Sequence, residues 1–291
     1  MNTDASVCAV IVTYNPAKSL ETNLAALRPQ VGGLVIVDNA SRPAALPFLE
    51  RISSQHSCVL IRNPENYGIG RALNQGIHSA EELGFAWVAL FDQDSTVSDS
   101  YIEEMMQVYK DSPNPGIVAL AAPQYIDRAS GKKFKFTLPI NGELLYAMTS
   151  GSLLNVATFN GIGDHNEAFF IDYVDIEWSL RARWSGKKIL ESKDAKLLHS
   201  LGNLNYHRFL FRDVPVTNHS AARHYYRERN RWRVYMSGKY DSVWLRQDLY
   251  LHLTGFVATL LWEDDRWRKV KIMIRGVIDA LRGRMGKTVE L

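Results

Sequence analysis

Four near-continuous apolar runs constrain this chain most: 7–13 (VCAVIVT), 34–37 (LVIV), 58–61 (CVLI) and 85–90 (FAWVAL). A run without polar alternation buries both faces of a strand, and such strands belong to parallel sheets covered by helices on both sides. The intervening segments fit that scheme. Leu20, Leu24 and Leu27 recur at helical spacing, residues 44–52 suit a short helix, and 69–83 suit another after the Asn63–Gly68 loop. The expected fold is α/β, a doubly wound and mostly parallel sheet whose ligand sits at the C-terminal strand ends. From residue 117 the alternation loosens. A strand is predicted over 117–122, a hairpin or flap over 124–139, a helix over 175–184, and a strand over 195–198 running into His199. Beyond 215 the pattern is helical, amphipathic and rich in Arg, Tyr and Trp.

With 291 residues, 46% of them hydrophobic, there is enough material for one large α/β domain or one domain plus an appendage. Cys8 and Cys58 lie in apolar runs and read as buried thiols in a reducing compartment. No basic stretch followed by a long apolar one opens the chain, so a cytoplasmic location is expected. Net charge is +3, but residues 1–180 carry 11 basic and 20 acidic side chains, whereas 181–291 carry 23 and 11. That asymmetry suggests an anionic partner for the C-terminal part, with a solvated basic face as the alternative.

Polar residues gather where the apolar runs end: Thr13-Tyr14-Asn15, Asp38-Asn39, Asn63 to Asn74, and Asp92-Gln93-Asp94. Carboxylates at i and i+2 of an extended segment point to one side. A hard divalent cation, Mg²⁺ or Mn²⁺, bridging to phosphate is the natural partner of such a pair. Taken alone, Asp92 and Asp94 also read as an Asp-rich turn.

In this order, V-T-Y-N, V-D-N, N-x-G-x-x-x-x-x-N and D-x-D resemble the family 2 glycosyltransferases of GT-A fold, over roughly residues 7–230. The D-Q-D-S form, with T-S-G-S and F-F-I-D-Y-V-D-I-E-W-S-L-R downstream, looks most like the rhamnosyltransferase branch. The resemblance implies a GT-A domain over 1–215, with a nucleotide-binding half (1–122) and an acceptor half (123–215), then a basic helical region over 216–291. It implies a donor site of Thr13, Tyr14, Asn15, Asp38, Asn66, Gly68, Arg71, Asn74, Asp92 and Gln93. Asp38 would accept from the N3–H of thymine or uracil, Tyr14 would offer a stacking face, and Arg71 would meet the diphosphate or its ribose. A turn residue at Asp38 and a simple helix entry at 66–70 are the structural alternatives. The metal is expected on Asp94, with His199 in support, although a lone His after a strand is often structural.

An inverting transferase needs a carboxylate to take the acceptor's proton. Asp175 matches the family's base, with Asp172 and Glu177 as supports; capping of a helix N-terminus is the alternative use of these acids. Val174 departs from the family's Glu-Asp pair and leaves the share of Asp172 open. Arg181, one turn after Glu177, is placed to pair with it. By resemblance, Ser150, Gly151 and Ser152 lie beside the acceptor path, and Arg227 or Arg229 would reach a lipid diphosphate or the donor's, with a solvated basic helix as the equal alternative.

The expected activity is transfer of L-rhamnose from dTDP-L-rhamnose to a lipid-linked oligosaccharide or glycolipid in cell-surface polysaccharide synthesis, such as O-antigen. A UDP-hexose donor and an inactive nucleotide-sugar binding protein are the alternatives. A dehydrogenase is disfavoured, because Tyr14-Asn15-Pro16 stands where G-x-G-x-x-G would follow the first strand. Residues 249–262 are apolar but short of the ~20 that span a bilayer. Residues 266–275 interleave Arg and Lys with Trp, Ile and Met, which fits a helix on the inner face of the plasma membrane. Helical packing or an oligomer contact is the rival, and no nucleic-acid-binding motif accompanies the charge.

Overall fold

A computed structural model describes residues 4–128, 130–134, 137, 139, 142–199, 205–209, 212–216 and 218–290. It forms two compact units: residues 1–167 with 175–200, and residues 168–174 with 201–291.

In the first unit the apolar runs become strands and the periodic segments become helices. In chain order these are β1 (Asp4–Thr13), α1 (Ser19–Leu27), β2 (Val31–Asp38), α2 (Leu46–Gln55), β3 (Val59–Arg62), α3 (Ile69–Glu82), β4 (Trp87–Asp92), β5 (Thr96–Val97) and α4 (Tyr101–Asp111). There follow β6 (Val118–Asp127), β7 (Lys133–Phe134), β8 (Leu153–Asn155), α5 (Val156–Ile162), α6 (Val174–Trp184) and β9 (Lys188–His199). The sheet order is β3-β2-β1-β4-β8-β6-β9-β5, with β7 added to β6 as the expected hairpin. Strands β3, β2, β1 and β4 are mutually parallel, and β6 is parallel to β9. β8 runs antiparallel between β4 and β6, so the sheet is mixed at its middle. One face of β1 (Val7, Ala9, Ile11) packs on α1, α2 and α4, while the other (Cys8, Val10, Val12) packs on α3, α5 and α6. Both faces are dry, as uninterrupted apolar runs require. Pro123 lies inside β6 where the β6–β9 register shifts between Ala122 and Gln124, an irregularity that accommodates a residue without an N–H.

The second unit contains the hairpin β10 (Asn205–Phe209) and β11 (Arg212–Val216), then α7 (Ala221–Ser237), α8 (Ser242–Trp262) and α9 (Arg266–Leu281). Asp241 caps α8, its Oδ1 accepting from the N–H groups of Val243 (3.1 Å) and Trp244 (2.8 Å). α9 lies against α7 at Gly276, where a Cβ would stand 2.6 Å from the Tyr225 carbonyl oxygen. Any larger residue there would push the helices apart.

α7 also grips residues 168–174. Phe170, Asp172 and Tyr173 have φ of 64°, 62° and 67°, a left-handed conformation costing about 1–2 kcal/mol per non-glycine residue. The Asn230 amide donates to the carbonyls of Phe169 (2.9 Å), Ile171 (2.8 Å) and Asp172 (2.8 Å). Arg229 donates to those of Ala168 (3.2 Å) and Phe169 (3.0 Å). Among the described residues no helix is long and apolar enough to cross a membrane.

Candidate active site

The ends of β1, β2 and β4 build the centre of the site. Thr13 pairs with Asp38 across β1–β2, and Val12 with Asp92 across β1–β4, so the two aspartates flank the end of β1. Asp38 is 1% exposed. Its Oδ1 accepts from Thr13 Oγ1 (3.2 Å) and Ser41 Oγ (2.5 Å), and its Oδ2 from Ser41 N–H (3.1 Å). A carboxylate has about four lone-pair sites, so one acceptor direction on Oδ2 is left for a ligand. Asn15 N–H donates to Ser41 Oγ (2.7 Å), and Tyr14 presents a ring that is 49% exposed. Gln93 ties this loop to the D-x-D turn: its Oε1 accepts from Tyr14 N–H (2.9 Å) and its Nε2 donates to the Tyr14 carbonyl (3.3 Å). Thr13, Tyr14, Asn15, Asp38, Asp92 and Gln93 are therefore gathered at one strand-end cluster.

The loop before α3 is organised by Asn39, which the sequence reading quoted in the V-D-N motif but did not assign to the site. Its Nδ2 donates to Asn66 Oδ1 (2.9 Å) and the Gly68 carbonyl (3.2 Å). Its Oδ1 accepts from Asn63 Nδ2 (3.2 Å) and Tyr67 N–H (3.0 Å). Asn66 Oδ1 also accepts from Gly68 N–H (2.9 Å), so the Asn66 side chain braces the loop from within. The Arg71 guanidinium stacks 3.9 Å from the centre of the Tyr67 ring, which holds an exposed cation in one direction. Asn74 is buried, and its amide is engaged with His165 N–H (2.9 Å), the His165 carbonyl (3.0 Å) and Glu167 Oε1 (3.1 Å). It fixes residues 165–167 under α3 and does not present a free amide to the strand ends.

Asp92 is braced from behind. Its N–H donates to Ser150 Oγ (3.1 Å), and Ser150 Oγ lies 2.7 Å from Ser95 Oγ. Ser150 and Ser152 are buried; the Ser150 hydroxyl stitches the T-S-G-S turn to the D-Q-D-S turn, and Ser152 Oγ closes the T-S-G-S turn on itself by donating to the Thr149 carbonyl (2.7 Å). Gly151 has φ of 82°, and a Cβ there would come 2.6 Å from Tyr101 Oη and 2.7 Å from Leu197, so only glycine fits. Tyr125 donates to the Ser150 carbonyl at 3.2 Å. Burial first, and then the neighbouring carboxylates of Asp175 and Asp92, hold its phenol protonated far above the ordinary range. One buried ring thus feels both the acid expected at the proton-transfer end and an acid of the D-x-D pair.

Asp175 lies at the start of α6, half-buried, with Oδ1 accepting from Ile176 N–H (2.9 Å). Glu177 is bound to Arg181 at 3.0 Å through both oxygens, the expected i,i+4 pair. Arg181 also donates to the carbonyls of Ile162, Gly163 and Asp164, so Glu177 helps to anchor α6. Asp172 belongs to the second unit and is bound by Arg223 (2.6 and 3.2 Å). Burial opposes its ionisation, but the charges of Arg223, Arg227 and His219 hold its carboxyl below the usual range. His199 ends β9, opposite Asp127. The antiparallel β5–β9 register pairs Thr96 with Leu198, the residue before His199; the His199 side chain lies outside the described residues. Arg229 is a correction. It is fully buried and engaged with backbone carbonyls of its own unit, which removes it as a diphosphate contact.

The donor set has the chemistry of a hard cation: carboxylate oxygens at a strand edge, to be completed by phosphate and water. Asp94 is exposed, and its carboxylate takes no partner among the described residues, while its backbone carbonyl accepts from Arg128 (2.9 Å). No group of three or more His, Cys, Asp or Glu converges among the described residues, so a metal here would rely on the substrate for its remaining ligands.

Known proteins share this fold. PcManGT, a mannosyltransferase from Pyrobaculum calidifontis solved with GDP-Man and Mn²⁺, superposes with a TM-score of 0.60 at 13% identity, covering 96% of this chain and 86% of that one. GalNAc-T7, solved with UDP, GalNAc and Mn²⁺, gives 0.58 at 15% identity over 79% of this chain, which spans 47% of that larger protein. At such identities the likeness establishes the GT-A type of fold. In sequence, the dTDP-rhamnosyl transferase RfbF of Shigella flexneri is 29% identical over 302 residues, covering 97% of this chain and 98% of that protein. Residues 8–163, more than half of the chain, match Glycosyl transferase family 2, and the chain belongs to that family of glycosyltransferases.

Proposed function

We propose that this glycosyltransferase moves L-rhamnose from dTDP-L-rhamnose, with inversion at the anomeric carbon, to a lipid-linked glycan or glycolipid during cell-surface polysaccharide synthesis. The observation that carries the reading is the strand-end cluster in which Asp38 and Asp92 flank the end of β1, beside the Gln93-braced Tyr14 loop. End-to-end likeness to a dTDP-rhamnosyl transferase supports the donor.

Asp38 accepts from the thymine N3–H through its remaining lone pair, and Tyr14 covers the base. Arg71 and the first turn of α3 meet the diphosphate. Asp92 lies nearer the ribose or sugar, and Asp94, with His199, holds a Mg²⁺ or Mn²⁺ ion. That ion supplies positive charge to a diphosphate whose own charge grows as the glycosidic bond breaks. The acceptor oxygen attacks C1 from the face opposite the leaving group. As the new C1–O bond forms, the bond from C1 to the diphosphate oxygen breaks, and dTDP leaves with the electron pair. Asp175 takes the acceptor's proton. Asp172 and Glu177 support it by fixing the chain on either side, through Arg223 and Arg181. Ser150, Gly151 and Ser152 border the acceptor path as backbone, behind the D-x-D turn. The acceptor's lipid places the enzyme at the inner face of the plasma membrane, in peripheral contact through its basic C-terminal region.

Initial rates with a panel of nucleotide sugars and candidate acceptors, with and without Mn²⁺, test the donor. Transfer from dTDP-rhamnose is expected; turnover of a different nucleotide sugar with none from dTDP-rhamnose overturns the assignment. A UDP-hexose is the second reading, because uracil and thymine present the same N3–H edge to the acceptor direction on Asp38.

A further inference from the structure

α9 has one face engaged and one face divided. Lys269, Met273, Gly276, Asp279 and Ala280 are buried, and Gly276 meets the backbone of α7. At about 100° per residue, Leu281, Ile274, Trp267 and Ile278 fall along one outward strip. Lys271, Arg282, Arg275 and Arg268 fall along the strip beside it, and all four are exposed. The apolar four are 62%, 55%, 74% and 40% exposed. A groove of about 570 Å³ runs along this side, with Ile272, Ile274 and Ile278 among arginines. Its one acid, Asp279, is buried; it accepts from Tyr225 Oη at 2.9 Å and lies 3.6 and 3.7 Å from Arg275 and Arg284. Those two arginine side chains remain 57% and 64% exposed. Over residues 266–284 there are seven basic side chains and one acidic.

Single exposed apolar residues are ordinary, but an ordered strip marks a contact surface. The charge beside the strip selects the occupant. A second copy packed strip on strip would bury the apolar side chains but bring the cations no exposed acid from this face, since its one acid, Asp279, is buried. Nucleic acid would use the cations and leave Trp267 and its neighbours facing water. An anionic bilayer satisfies both strips at once, with apolar side chains at the acyl boundary, Trp at the headgroup level and cations on lipid phosphates. α8 differs: Leu249, Leu253, Val257 and Leu261 form an exposed strip at four-residue spacing, but only Arg246 stands beside it.

We propose that α9 is the lipid-facing element, lying along an anionic phospholipid surface with Trp267, Ile274, Ile278 and Leu281 inserted and Arg268, Lys271, Arg275 and Arg282 on phosphate headgroups. This rests on the membrane contact proposed above and assigns it to one helix face. The test is sedimentation of the full-length protein with vesicles of phosphatidylcholine alone or with 30 mol% phosphatidylglycerol (about a third anionic lipid, enough to set a surface potential), without donor or acceptor. Binding to the anionic vesicles only, weakened by salt, is expected. Arg275→Gln with Arg282→Gln lowers the partition roughly thirtyfold. Trp267→Ser with Ile274→Ser abolishes it at unchanged Tm, since both side chains face water. Equal binding to both vesicle types overturns the proposal. So does full binding by both α9 variants, including the case in which Leu253→Gln on α8 alone removes it, and so does a dimer dispersed by Ile274→Ser with no vesicle binding in any variant. Because the assay needs no turnover, a wrong donor leaves its outcome untouched, and the α9 variants are expected to retain transfer to a water-soluble acceptor.

Discussion

The two units bury polar groups in opposite places. In the sheet unit the interior is aliphatic, and much of the buried polarity stands at the strand ends: Thr13, Asp38, Asn39, Asn63, Ser95 and Ser150. In the helical unit the charges run through the middle. Arg231 donates to Glu228 (2.7 Å), Asp248 (3.1 Å) and Tyr173 Oη (2.6 Å), and Lys269 donates to Glu263 (2.8 Å), all of these side chains being buried. Buried ion pairs add little net stability, because desolvation offsets attraction, yet losing one partner is severe. The first unit is therefore held by area and uses polarity for chemistry. The second uses polarity to fix one arrangement of helices and of the segment ahead of Asp175.

The sharpest break in that comparison is chemical. Asp175→Asn, nearly isosteric, is expected to lower transfer by roughly 10²–10⁴-fold while dTDP affinity by calorimetry stays within about twofold. Loss of nucleotide binding in step with activity would point to a structural role for Asp175. Next comes Arg231→Ala, which takes the cation from buried Glu228 and Asp248, leaving them His252, Tyr173 and Tyr235 as partners, and should cost about 3–5 kcal/mol, read as a fall in the urea midpoint of the helical unit. A smaller loss would mean that water already reaches that network. Ser150→Ala leaves the Asp92 N–H without its acceptor, for about 1–3 kcal/mol. The expected readout is a fall of that order in the stability of the sheet unit, with weaker Mn²⁺ binding to the dTDP complex by calorimetry.

The smallest effect per pH unit separates the two units by acid. Burial, reinforced by Arg181, pushes the His165 imidazole down to about 3 from an ordinary 6.5. The folded state excludes a proton that the unfolded state accepts, so this contribution is complete above pH 6.5 and declines towards about 3. Glu263 is opposed by burial but held at about 2 by His224 and Lys269, against an ordinary 4.5. Its contribution is complete above about 4.5 and lost only as pH falls through 2. Unfolding followed by unit-specific hydrogen exchange should show the sheet unit weakening first, and His165→Gln should flatten that limb.

Legibility followed the same divide. The α/β order was readable because a strand buried on both faces leaves an unbroken apolar run, and Asp92 at the end of one such run could be placed at the sheet edge. β8, three residues long, was not marked as a strand, being wedged between the T-S-G-S turn and the start of α5. β9 starts at Lys188, earlier than the apolar 195–198, because exposed Lys193 and Asp194 hide its first half. At the site, the D-x-D and V-D-N motifs were visible as strand ends. The hub at Asn39 and the position of Tyr125 were not, since both depend on partners distant in sequence. Arg229 reads as a surface cation in a run of arginines, and only tertiary packing turns it inward.

The left-handed residues before Asp175 carry a consequence for how the molecule is made. The Asn230 amide that holds the Phe169 carbonyl lies 61 residues further along the chain. During synthesis the sheet and α6 emerge first, and domains fold as they appear. Until α7 has followed, nothing on the nascent chain offsets the cost of turning Phe170, Asp172 and Tyr173 into that conformation, and the link into α6 stays in a relaxed form. A partial product thus carries every strand-end acid of the site but lacks the restraint on the residues leading to Asp175. The enzyme matures late, when the last third of its sequence reaches back.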